Sequence, residues 1–334
     1  MNNLFSKINI NDFNFKNRIV FPPIATEQAD LNGSINDNIV NYYREMAKSG
    51  MSLLIVEHNY VMDDGKLNNK QISISKDSDI SGHRKIVDAI HESGIYAALQ
   101  INHCGGSASN ENSRILFGPS KITNPKSEII PEELSIDQIN KVIESFGSAS
   151  KRVKDSGYDM VEIHSAHGFL LNQFLSPITN KRTDKYGGDL NGRERILFEI
   201  VEEVKGNVGK DYPVMVRLGI SDNPPKAIIY EEGLTLNEGI KIAKELESLN
   251  IFILDISGGM CGSRPSIVNE EDYFVDFAKE AKKQIKTPII ITGGIRNPKN
   301  ADNIIKNGYS DFVGIGRSLT SDRKWIEKAK EQIV

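Results

Sequence analysis

One unit recurs along this chain and limits its fold more than any other feature: a short β-branched run, a polar loop, then an amphipathic helix. Runs of high β-propensity stand at Ile19–Ile24, Leu53–Glu57, Tyr96–Ile101, Met160–His164, Val214–Leu218, Phe252–Ser257, Pro288–Thr292 and Phe312–Ile315. Helical patterns lie between most of them, among them Asn38–Lys48, Ser81–Ser93, Ile136–Ser156, Arg193–Val204, Leu236–Leu249, Tyr273–Ile285 and Pro298–Asn307. Ser135, with Gln138 three residues on, offers a reciprocal helix cap. Strands that alternate with helices predict a parallel sheet, because parallel neighbours need a helical crossover. Eight such units predict the α/β class and a single (β/α)8 TIM barrel. An open doubly wound sheet is the competitor, but no G-x-G-x-x-G follows the first strand, where a dinucleotide fold wants it.

At about 150 residues per domain, 334 residues suggest two domains. The eight units use nearly all of them, so the expectation is one domain over residues 1–334, with a long loop insertion around 104–134. Lys plus Arg is 41 and Asp plus Glu is 45, a balance that argues against nucleic acid as a partner. The two cysteines, Cys104 and Cys261, make neither a disulfide framework nor a four-cysteine metal site. No basic stretch followed by an apolar run opens the chain, and no apolar run reaches a membrane span. The expected protein is cytoplasmic, with no membrane partner.

A barrel of this kind places its chemistry at the C-terminal ends of its strands. Four of the six histidines (His58, His103, His164, His167) fall at those ends. The other two, His83 and His91, lie on a predicted helix and read as surface residues. Gly293-Gly294 and Gly316-Arg317 follow the seventh and eighth strands, where backbone N–H groups can cradle a phosphate. Plain turn glycines are the alternative. Arg217 interrupts an apolar strand, so it must be paired internally or face a ligand. His164 and His167, three apart, can hold and polarise a substrate carbonyl; a metal pair would need a third ligand, and none stands in matching context. Gln100 can donate and accept along a heteroaromatic edge.

These residues carry a resemblance to a known family. Lys16–Pro23, Gln100–Gly105 and above all the block Gly157–Pro177, continuing through Asn180–Gly188 and Arg193, resemble the Old Yellow Enzyme family of NADH:flavin oxidoreductases. Val216-Arg217-Leu218, Thr292-Gly293-Gly294 and Gly316-Arg317 complete the match, which runs from about Leu4 to Trp325. The resemblance implies noncovalent FMN and NAD(P)H as hydride donor. It implies flavin contacts at Pro23, Ile24, Ala25, His58 (through its backbone), Gln100, Arg217 and Gly258, and a phosphate site at Gly293, Gly294, Gly316 and Arg317. His164 and His167 fall where the family binds the oxygen of an enone. The expected activity passes hydride from NAD(P)H through flavin N5 to a small-molecule acceptor, an α,β-unsaturated carbonyl. Members with an iron–sulfur extension exist; the expectation here is the form without it, and a homo-oligomer.

There are three departures from the family pattern: Phe169, Ala25, and the polar groups of Glu27 and His58 beside a pocket that is often more apolar. Phe169 stands where many members carry a Tyr proton donor, which favours the alternative of a related flavin dehydrogenase or NADH oxidase acting on an amine or other acceptor. Tyr60, His103 and Cys104 are the substitute acids nearby. Ala25 stands where Thr or Cys commonly touches the flavin. Thr26, Glu27, Tyr60, His103 and Phe169 are expected to line the substrate pocket.

Overall fold

The computed structural model describes residues 3–108, 115–125, 127, 129–265 and 271–333. Eight parallel strands close into a barrel: β1 (Ile19–Phe21), β2 (Leu53–Tyr60), β3 (Tyr96–Asn102), β4 (Met160–Ser165), β5 (Val214–Gly219), β6 (Leu254–Ser257), β7 (Ile289–Thr292) and β8 (Phe312–Gly314). Each strand pairs with its neighbours in sequence, and β8 returns to β1 with Val313 opposite Ile19. Closure leaves no barrel edge unpaired. The (β/α)8 barrel predicted from the repeating unit is therefore the fold.

Most strand boundaries lie within one or two residues of the expected ones; the ends of β1 and β2 differ by three, each for a local reason. β1 stops at Phe21 because Pro22 and Pro23 have no N–H to give a ladder. β2 runs past Glu57 to Tyr60 through a bulge: Val56 faces Leu99, Asn59 faces Ile101, and Glu57 and His58 share the space opposite Gln100.

Several of the helices outside the barrel start where a side chain satisfies one of their first N–H groups. Ser135 and Gln138 form the expected capping box on Ile136–Asp155, and Thr235 with Glu238 forms another on Leu236–Ser248. Their apolar stripes cover the outer face of the strands.

The inside of the barrel is layered. Val20, Ile55, Ala98, Met160, Met215, Ile290 and Phe312 form an apolar floor, closed from below by the hairpin Ile8–Ile10/Phe13–Phe15. Two residues further along the strands the interior turns polar, with Gln100, Glu162, Arg217 and Asp255. That change of layer marks where packing ends and a site begins.

His83 is not a surface residue. It is fully buried, with Nδ1 3.0 Å from the Tyr158 hydroxyl and Nε2 2.8 Å from the Ser73 carbonyl. A helix period cannot show that a polar position is covered by loop residues from outside the helix, here Ser73 and Tyr158. His91 lies at the surface, 2.9 Å from Asp159. No helix among the described residues is long and apolar enough to cross a membrane.

Candidate active site

A cavity of about 440 Å³ opens at the C-terminal mouth of the barrel, a size that suits a cofactor-bearing site. It joins residues from nearly every strand end: Pro23, Ile24 and Ala25 after β1, His58 on β2, Gln100 on β3, His164, His167 and Phe169 around β4, and Arg217 on β5. Gly293, Gly294, Gly316 and Arg317 line its far end.

The polar end is built on cross-strand register. Gln100 faces Glu162, and Arg217 faces Asp255. The Gln100 amide donates to Glu162 Oε2 at 2.6 Å, leaving its carbonyl for the cavity. Arg217 Nε lies 3.3 Å from Asp255 Oδ2. Arg217 is thus paired internally, and its side chain also lines the cavity. Burial, with repulsion from Asp255, raises the Glu162 carboxyl to about 8, and burial raises Asp255 to about 6. One cation among two buried carboxyls favours holding a proton between them.

The histidine end is a nest of rings. His164 lies 5.0 Å from His167 and 4.9 Å from Phe169, centroid to centroid, the latter at 90°. His167 takes a left-handed backbone, with φ 62°. Its N–H bonds the Gly258 carbonyl at 3.1 Å, and its Nε2 lies 2.7 Å from the Ser257 hydroxyl. These contacts hold a strained residue in place beside the cavity. Among the described residues, no group of three or more His, Cys, Asp and Glu is placed to hold a metal ion.

The glycine end needs residues without Cβ. A Cβ on Gly293 would meet Phe274 at 2.8 Å, and one on Gly294, whose φ is 72°, would meet Tyr273 at 2.6 Å. The N–H groups of Gly293 and Gly294 make no hydrogen bond among the described residues. The helix beyond them begins only at Pro298, and its cap Asn297 already accepts from Lys299. The Gly293–Gly294 side therefore offers an anion loop amides, whereas on the other side Gly316 stands at the N-cap of the short helix Arg317–Ser321. Arg317 donates to the Tyr273 hydroxyl at 3.2 Å.

Several expected pocket residues lie elsewhere. Thr26 gives both its N–H (2.9 Å) and its hydroxyl (2.6 Å) to Glu57, so it turns away from the cavity. Glu27, at φ 54°, turns out to solvent. Tyr60 donates to the Asn32 carbonyl at 3.1 Å. His103 is buried beside Gly65, accepting from the Gly105 N–H at 3.0 Å. Cys104 is buried and donates to the Lys66 carbonyl. Gly258 acts through its carbonyl on His167 and is not in the cavity wall. None of the substitute acids therefore reaches the ligand space. Glu162, Asp255, Ser257 and Tyr273 were missed, although Glu162 and Asp255 interrupt apolar strands just as Arg217 does.

The sequence pattern described as the NADH:flavin oxidoreductase / NADH oxidase family matches residues 3–334. This chain belongs to that family. It is 37% identical over 98% of its length to the NADH oxidase of Thermoanaerobacter brockii, of which it spans 51%. It is 32% identical over 99% of its length to the NADPH dehydrogenase of Bacillus subtilis (strain 168), of which it spans 95%. The structure of a 2-naphthoyl-CoA reductase in complex with 2-naphthoyl-CoA superposes with a TM-score of 0.92 at 28% identity, over 99% of this chain and 52% of that one. The chain thus spans about half the length of two of the proteins it resembles. The family binds FMN, and the cavity of this member fits it. A glutamine carbonyl beside an arginine matches the donor and acceptor edge of a flavin ring, and the Gly293-Gly294 cradle with Arg317 matches its phosphate.

Proposed function

We propose that this chain is an FMN-dependent NAD(P)H:acceptor oxidoreductase whose acceptor is an α,β-unsaturated carbonyl. One observation carries the reading: a single cavity joins the glycine cradle, the Gln100–Arg217 end and the His164–His167 pair. Bound FMN would take hydride from NAD(P)H and return it to the acceptor.

The roles of the protein groups follow from their surroundings. Gln100 and Arg217 orient the ring, and Arg217 places positive charge where negative charge gathers on reduction. Asp255 holds the guanidinium in place. Gly293, Gly294, Gly316 and Arg317 hold the phosphate. His164 and His167 donate to the substrate oxygen and draw electron density from the alkene, with Ser257 fixing His167. Phe169 shapes the pocket but carries no exchangeable proton, so water supplies the proton for the α-carbon. Pro23, Ile24 and Ala25 lie along the ring.

The same reading takes residues 1–334 as one barrel with an insertion around 104–134, working in the cytoplasm as a homo-oligomer. The resemblance to family members supports it.

Isotope placement tests the activity. With deuterated NAD(P)H and an enone, deuterium is expected on the β-carbon of the saturated product, and solvent hydrogen on the α-carbon. A flavin that stays reduced with every enone would sink the reading and favour the second one. That second reading, oxidation of an amine or reduction of another acceptor, draws on Phe169 in place of a proton-donating Tyr.

A further inference from the structure

The bulge in β2 places two successive side chains opposite one residue of β3, and so aims them differently. Glu57 turns to Thr26 and Tyr43. His58 turns into the cavity, its ring 5.4 Å from Phe169 and 6.4 Å from His164. It therefore looks into the same space as the histidine pair.

The proton on His58 can be placed from the hydrogen bonds around it. The Leu67 backbone N–H donates to Gln71 Oε1 at 2.6 Å, which fixes the amide's orientation. Gln71 Nε2 is then a donor, to Asn102 Oδ1 at 2.9 Å and to His58 Nδ1 at 2.8 Å. A protonated Nδ1 would set two donors face to face. Nδ1 therefore accepts, and the ring carries its proton on Nε2. Burial keeps the ring neutral, lowering it to about 4. Nε2 has no hydrogen-bond partner among the described residues.

We propose that His58 is a third imidazole of the ligand site, offering its Nε2–H to a second acceptor on the same substrate. This rests on the function proposed above and sharpens its substrate class. One oxygen sits with His164 and His167, and a second faces His58 from across the reacting bond. Cyclic imides and conjugated diones fit this pattern better than enones with one oxygen. His58 binds and selects but does not supply the α-proton. Loss of that proton would leave a buried imidazolate, a far poorer leaving charge than the phenolate of a tyrosine.

The test has two readouts. Long-range proton–nitrogen NMR of histidine-labelled protein, with or without FMN, should show His58 protonated at Nε2 only near neutral pH; a protonated Nδ1 overturns the proposal. The second readout is the flavin absorbance of FMN-loaded protein, titrated with cyclopentanone (one acceptor) and N-methylsuccinimide (two). In His58→Phe the imide should lose about tenfold in affinity, the worth of one hydrogen bond, while the ketone changes less than about twofold. His58→Gln, which keeps a donor, should recover most of the loss. Equal weakening of both probes, or of neither, overturns the proposal. So does a fall in FMN affinity with the imide unaffected, because the donor would then serve the flavin. If the parent takes up no FMN, or neither probe perturbs the flavin, the underlying function falls, and the histidine spectrum still judges the His58 geometry alone.

Discussion

Arg217 and the carboxyls beside it show how much one buried side chain can decide. Arg217→Met would leave Asp255 buried without its cation, a change worth about 3–5 kcal/mol. Urea unfolding should show a loss of that order, together with weaker FMN binding. Glu162 sets a pH dependence with a definite sign. Its folded pKa is raised, so the folded state holds a proton that the unfolded state releases between the ordinary carboxylate range and about 8. Stability therefore falls as pH rises through that window. Glu162→Gln should flatten this limb, and urea midpoints between about pH 5 and 8.5 would reveal it. His58 and His83, both lowered to about 4 by burial, act in the other direction. Their contribution is lost as pH falls from 6.5 toward 4, on the order of 3 kcal/mol each. His83→Gln should soften the acid limb alone. At the other end of the cavity, the double variant His164→Ala, His167→Ala should keep FMN and lose enone or phenol affinity by about tenfold or more. Unchanged ligand affinity by flavin absorbance would remove the histidines from their assigned role.

At the scale of elements, the bulge in β2 and the loop after β1 act together. Glu57 ties Thr26 and Tyr43 to β2, and so fixes the loop that presents Pro23, Ile24 and Ala25. Glu57→Ala strands three donors, and thermal or urea denaturation should show a loss of about 2–3 kcal/mol with reduced FMN affinity. An unchanged FMN affinity would mean the loop holds its shape without that tie. The same bulge explains what could be read in advance and what could not. Strands and helices were legible because their periodicity is local, and the capping boxes were written in single residues. Arg217 stood out as a charge in an apolar strand. Thr26, Glu27, Tyr60 and His103 were misplaced because standing after a strand does not say where a side chain points. Alternation along β2 fails at Glu57–His58, where one extra residue changes the face. His83 was misread because its cover comes from Ser73 and Tyr158, both remote from its helix.

For the molecule as a whole, the barrel gathers residues from across the sequence onto one rim. Its floor is apolar and sealed by the N-terminal hairpin, so of the two barrel ends it is the C-terminal mouth that presents polar side chains to a cavity. On the function proposed above, donor and acceptor would share this opening and take turns at the same face of the cofactor. An inert acceptor analogue should accordingly compete with NAD(P)H in stopped-flow reduction. The central claim is that this opening holds FMN and passes reducing equivalents from NAD(P)H to an activated alkene. It is tested most directly by anaerobic absorbance of the FMN-loaded protein: NADH or NADPH should bleach the flavin band, and added enone should restore it. A protein that retains no FMN, or whose flavin neither nicotinamide bleaches, would contradict the account.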